Sequence, residues 1–432
     1  MFIIMNKQLL VSIVTTTSRM THTNLLSSGF IVHQLGAVPA LLLFIACLAL
    51  NFVLQFAYID YIDATNSTTI SQLNCNLFKN RFLLVFLDII IIFLPLGTLA
   101  TQILSVSNAI LNMFQSYSSI NFQYMSQAIT VATAAVFFLP SMFLTSVKAF
   151  NAISPFSILI AIFYTFSMLV LSAKPQNAEL CNGILSQLQP FPVTFSLSYF
   201  LQILKLFPTI IFAVNITVSV PIVYRDALSP KRRNTKICIL CSSLIVFSEF
   251  LISGFSAANF GAATLPSNLG TAQQCKLAFT NALPLVYAGV LVVAYPLWAQ
   301  PNRYCTMELM RVPIDNRLVF CSLGAVLVLI TTVLAVFVTD IQTIFGLFAS
   351  FCGWFLYFLV PGMCWIQHDV QSLKLGNVEG ETEMAIAEAH IATDQGLKQD
   401  SKIRKIIGCI FLGLLAIVSL VSFSMNIWSF IQ

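Results

Sequence analysis

Residues Phe207 to Val223 read FPTIIFAVNITVSVPIV, an apolar run long enough to lie in a bilayer, with a proline near each end and Asn215, Thr217 and Ser219 between them. Proline removes a backbone donor and kinks a helix, and side-chain amides and hydroxyls can take up the backbone groups that a kink frees. The stretch reads as a membrane helix built to break near its middle.

The chain has 432 residues, 58% hydrophobic and 9% charged, so an aqueous fold has too little polar surface to cover it. An all-α, multi-pass integral membrane protein is expected, with the lipid bilayer as its surroundings. The net charge of +5 is carried in short segments between apolar runs, a pattern that encodes topology; nucleic acid is not an expected partner. Most of the 11 cysteines, Cys47, Cys238, Cys241, Cys352 and Cys409 among them, lie inside apolar runs as small hydrophobes, with no zinc-like spacing. The opening MFIIMNKQLLVSIV has neither a basic n-region nor a small-residue cleavage site, so no cleaved signal peptide is expected.

Runs near the roughly 20 residues that a bilayer core demands extend over Ala37–Tyr58, Phe82–Leu111, Tyr124–Thr145, Ala152–Ser172, Leu197–Val223, Ile237–Phe260, Leu277–Trp298, Leu318–Val338, Ile341–Ile366 and Ile406–Ile431. A further span is expected before Ala37, where the sequence is hydrophobic at both ends and hydroxyl-rich in the middle. Threading eleven spans from a cytoplasmic N-terminus leaves every Lys and Arg except Lys174, Lys205 and Lys276 on the inside, as the positive-inside rule requires. Dropping one early span would invert that bias. The acidic stretch Gln367 to Lys405 is expected to be a solvated cytoplasmic loop. Cys181 and Cys275 fall in loops predicted outside, where they can form a disulfide or remain free thiols.

The order of several motifs resembles the amino acid/auxin permease family, which includes the sodium-coupled neutral amino acid transporters and the vacuolar amino acid transporters. FPTIIFAVNITVSVPIVYRDALSPKRR follows the family's sixth span, Pro296 through Pro301 and Arg303 its eighth, and VTDIQTIFGLFAS with Pro361-Gly362 its tenth. The resemblance implies a five-plus-five inverted repeat with spans one and six interrupted: a first repeat at about 9–172, a second at about 197–366, and an eleventh helix at about 406–431. It further implies an alternating-access transporter of amino acids, expected to be a monomer, in the plasma membrane or a vacuolar or lysosomal membrane. Freed helix ends would hold the substrate, an N–H end facing its carboxylate and a C=O end its amine.

By this resemblance the substrate site combines Phe212, Ala213, Val214, Asn215 and Thr217 of span six with Asn24, Ser27, Ser28 and Gly29 of span one. The chain departs from the family in lacking the Gly-Ser-Gly turn of span one, the histidine near Thr217, and the hydroxyl residue where Ala294 stands. An alanine offers no oxygen to sodium, which favours proton coupling over sodium. Proton coupling wants a titratable group within the membrane, and Glu249, then Asp88, are the candidates. No cofactor or metal is expected. An enzyme is not expected either, because His22, His33, His368 and His390 are not spaced as helical ligand pairs. An amino acid sensor on the same fold, without net transport, is the alternative reading.

Overall fold

The computed structural model describes residues 7–21, 23–67, 69–117, 124–143, 147–173, 189–191, 196–260, 264, 267–273, 278–313, 316–338, 341–375 and 386–431. All regular structure among them is helical. In chain order the helices are α1 (Lys7–Met20), α2 (Thr23–Leu35), α3 (Ala37–Thr65), α4 (Ile70–Leu77), α5 (Arg81–Tyr117), α6 (Met125–Thr133), α7 (Val147–Ala173), α8 (Leu197–Val214) and α9 (Val220–Asp226). There follow α10 (Lys231–Ala258), α11 (Asn268–Gln273), α12 (Ala278–Leu309), α13 (Arg317–Phe337), α14 (Ile341–Gly353), α15 (Val360–Leu375) and α16 (Ile386–Ile431). Two π-helical turns interrupt this regularity, Ala134–Phe138 after α6 and Trp354–Leu359 between α14 and α15.

Nine spans among the described residues are long and apolar enough to cross a membrane: Ala37–Thr65, Arg81–Gln115, Ser154–Ser172, Leu197–Asp226, Lys231–Ala258, Phe279–Leu309, Arg317–Phe337, Gly346–Gln367 and Lys405–Trp428. These match nine of the spans read from sequence. Met125–Ser141, a shorter apolar helix, stands where the fourth span is expected, and the pair α1 and α2 stands where the first is. The stretch 367–405, expected as a loop, is helical at both described ends, because α15 runs to Leu375 and α16 begins at Ile386. Cys181 and Cys275 lie outside the described residues.

The last helix shows how the bundle is assembled. Ile406, Ile410, Leu414 and Ile417 of α16 are exposed, as lipid-facing side chains are, while Leu412, Leu415, Ser419, Ser422 and Asn426 are buried at alternating steps of three and four residues. That buried stripe meets glycines. A Cβ at Gly362 would lie 2.7 Å from Leu412, and one at Gly346 would lie 2.4 Å from Asn426. Where lipid removes the hydrophobic drive between helices, such close backbone approach is what holds them together.

A second seam joins α2 to α10 and α11. Gly254 backs onto Ser28, and Asn268 of α11 donates to Ser28 Oγ at 3.0 Å and Ser253 Oγ at 3.1 Å while accepting the Gly29 amide at 3.1 Å. The turn from α2 into α3 is made by Gly36 at φ 81°, a conformation that a Cβ would strain. At one end of the bundle Asp60 of α3 takes Arg232 Nε at 2.6 Å and Lys236 Nζ at 2.5 Å, clamping α3 to α10.

A Cβ at Gly29 would stand 2.4 Å from the Ala257 Cβ, an atom tied directly to backbone. Gly29→Ala is therefore expected to cost about 1–3 kcal/mol by overpacking, read as a lower midpoint in thermal unfolding of the detergent-purified protein; an unchanged midpoint contradicts the seam.

Candidate functional site

Pro221 sets the position of the break in the sixth span. Its ring clashes with the carbonyl of residue 217 in a continuous helix, but it fits the first turn of a new one, and it occupies that first turn in α9. Between Val214 and Val220 the chain passes through extended Asn215 and a short 3-10 turn, Thr217–Ser219. The Asn215 side chain replaces the lost helical partners: its Oδ1 accepts the Thr217 amide at 2.8 Å. Its Nδ2 donates at 3.0 Å to Asn51 Oδ1 on α3, which also accepts Gln55 Nε2 at 3.1 Å. Asn51, Gln55, Asn215 and Thr217 are all buried. Thr217 Oγ1, Gln55 Oε1 and the Tyr58 hydroxyl have no hydrogen-bond partner among the described residues. Buried polar atoms without partners are costly unless a ligand or water completes them.

The first span breaks as well. Helix α1 ends at Met20 and α2 starts at Thr23, and the interruption falls at Thr21. The residues that the resemblance assigns to the site on this span, Asn24, Ser27, Ser28 and Gly29, follow the interruption within α2. The carbonyl of Arg19, in the last turn of α1, receives the Trp298 indole N–H at 2.5 Å, and the Thr21 hydroxyl donates to Glu249 Oε2 at 3.3 Å. Thr21 lies at the break, so Glu249, on α10, is brought directly to it. Glu249 is 4% exposed, and its Oε1 has no hydrogen-bond partner among the described residues.

The two broken spans run side by side. Helices α2 and α8 are tied, with the Tyr199 hydroxyl of α8 donating to the Leu35 carbonyl of α2 at 2.7 Å and Gln202 bonded to Gln34. Met20 and Ile216, one from each interruption, belong to a single buried cluster with Tyr58. Helices α1 and α9 instead line a cavity of about 280 Å³.

The other sequence-derived candidates are placed as follows. Phe212 is buried between Trp298 and Tyr357, with ring centroids 5.7 and 5.5 Å away, and Ala213 is buried next to it. The side chains of Val214 and Asn24 lie outside the described residues. Ser27 is buried one turn past the break, and Ser28 and Gly29 belong to the seam with α10 and α11. Asp88 is remote from both interruptions in its contacts: its Oδ1 accepts the Ser71 hydroxyl of α4 at 2.8 Å, and its carbonyl lies 3.6 Å from Cys305 Sγ. Sequence reasoning did not select Asn51, Gln55 and Tyr58, although their polar groups share one face of an otherwise apolar helix.

No family model matches the chain, and no curated protein matches it. Among solved structures it is similar to a manganese transporter from Eremococcus coleocola, crystallised with an aromatic bis-isothiourea substituted compound. The two share a TM-score of 0.50 at 13% identity, over 97% of this chain and 95% of that one. The fold is that of a solved membrane transporter. The correspondence spans nearly the full length of both chains.

In a double-mutant cycle, Asn215→Ala and Asn51→Ala are expected to couple by about 0.6–1.7 kcal/mol, the range for interhelical hydrogen bonds in a bilayer. Additive losses of thermal stability show that the two amides do not act together.

Proposed function

We propose that the protein is an alternating-access carrier of amino acids, with eleven spans, two inverted repeats of five and the substrate held between the interruptions of spans one and six. The observation that carries this reading is the break at Asn215: a membrane helix is opened, and Thr217, Gln55 and Tyr58 keep buried oxygens without partners beside it. The donors and acceptors contributed by span six and α3 are neutral amides and hydroxyls. That chemistry suits a zwitterion, whose two charges are met by opposite helix ends. A hard divalent cation demands carboxylates or several well-placed oxygens, and among the described residues no group of three His, Cys, Asp or Glu side chains gathers to hold one. Manganese is the cargo named for the structural neighbour, and it is not the cargo proposed here.

The two pairs of half-helices differ in a way that supports alternating access. Helices α2 and α8 are hydrogen-bonded together, while α1 and α9 border a cavity, so one end of the pathway is drawn shut and the other is parted. In this reading Glu249 couples transport to protons. It reaches the break through Thr21, and its free oxygen is available to exchange a proton as α1 moves. Proton coupling is preferred to sodium because Ala294, buried in α12, supplies no oxygen. Asn24, Ser27 and Gly29 contribute to the first-span side of the pathway only if the half-helix α2 turns with the substrate bound. A sensor without net flux is the second reading, and the same experiment separates the two.

In proteoliposomes with imposed proton or sodium gradients, one or more amino acids of a labelled panel are expected to accumulate with the proton gradient. Binding without uptake or exchange favours the sensor, and neither binding nor uptake overturns both readings. Glu249→Gln is expected to abolish uphill accumulation while leaving exchange of labelled for unlabelled substrate; intact proton-driven accumulation removes Glu249 from the coupling.

A further inference from the structure

The cavity between α1 and α9 is lined by Ser12, Thr15, Thr16, Arg19, Arg225 and Asp226, with Val11 and Val223 completing it. Its charges do not balance. Arg225 Nε is paired with Asp226 Oδ1 at 3.1 Å, so two cations border the cavity with one carboxylate between them. Arg19 is 5% exposed, its Nε has no hydrogen-bond partner, and among the described residues no carboxylate lies within ion-pair distance of it. The backbone holds the residue in place, because the Arg19 carbonyl is engaged by Trp298. Arg19 belongs to the last turn of α1, where the helix dipole offers roughly half a negative charge. That offsets only part of a full cation, and a buried guanidinium with five donors and no acceptor is expensive.

We propose that this cavity is an anion site in which Arg19 holds a small monovalent anion, a halide or a carboxylate. A guanidinium presents parallel donors that match a carboxylate in bidentate fashion and also accept a halide between them, and the hydroxyls of Ser12, Thr15 and Thr16 surround the same volume. Phosphate is disfavoured, since one unpaired cation beside Asp226 leaves its second charge unmet. The site lies on the side of the interruptions where the half-helices are parted. A carboxylate there would be that of a substrate passing between α1 and α9, and only this source rests on the carrier reading; a halide does not.

Intrinsic tryptophan fluorescence of the purified protein tests the site without transport, because the indole of Trp298 is bonded to the same residue. Chloride and acetate are each titrated against sulfate at constant ionic strength, and glycine is titrated at fixed sulfate. A saturable response to chloride alone assigns a halide site, and one to acetate and glycine assigns a carboxylate site. Arg19→Gln is expected to weaken the response about tenfold or more, the loss of a charge-assisted contact, and Arg19→Lys to retain most of it. No saturable response in the wild type, or equal affinity in Arg19→Gln, overturns the site. If Arg19→Gln does not fold, Asp226→Asn decides: removal of the only carboxylate lining the cavity is expected to tighten binding several-fold, and unchanged affinity overturns the proposal. Amino acid uptake that persists without anion binding leaves the carrier reading standing.

Discussion

A bilayer offers no water to a broken helix, so every interruption within it must be completed by the protein itself. The amide of Asn215 does this for span six, standing in for backbone partners on one side and reaching Asn51 on the other. The remaining architecture serves that contact. Helix α3 has to be close enough to lend Asn51, which needs the glycine turn at Gly36 and the clamp at Asp60. Span one has to break at a matching place, which Trp298 and Glu249 make tolerable from neighbouring helices.

The interruptions and the packed seams obey different rules. The seam between α16 and the glycines of α14 and α15 is made by close approach, and its buried Asn426 bonds back to Ser422 of its own helix. At the interruptions polar groups are abundant and incompletely paired. Proteins rarely retain buried polar atoms in that condition except where a ligand, a proton or a moving part uses them.

Hydropathy made most spans legible, because lipid imposes a length and an apolar composition that no other context does. The break at Asn215 was equally legible, since Pro221 cannot continue a helix through residue 217. The break in span one was less legible, for a physical reason. Thr21 and its neighbour are not helix breakers, and what ends α1 there is held by Trp298 and Glu249, hundreds of residues away in sequence. Gly29, assigned to the site by the resemblance, lies inside α2 where Ala257 and Asn268 leave room for nothing larger. Asn51, Gln55 and Tyr58 were visible as one polar face of α3, but their meaning depends on which helix faces them.

The ties that hold the molecule differ in kind from one place to another. Helices α2 and α8 are joined by a tyrosine hydroxyl and a glutamine pair, all uncharged, whereas α3 is joined to α10 by a carboxylate between two cations. Dissolved ions screen the second kind, with a reach of about 10 Å at 0.1 M salt, and leave the first untouched. The solution bathing the Asp60 clamp thus acts on one fastening only. A protein that divides two compartments of different ionic strength would register that difference as a tilt in its own conformational balance.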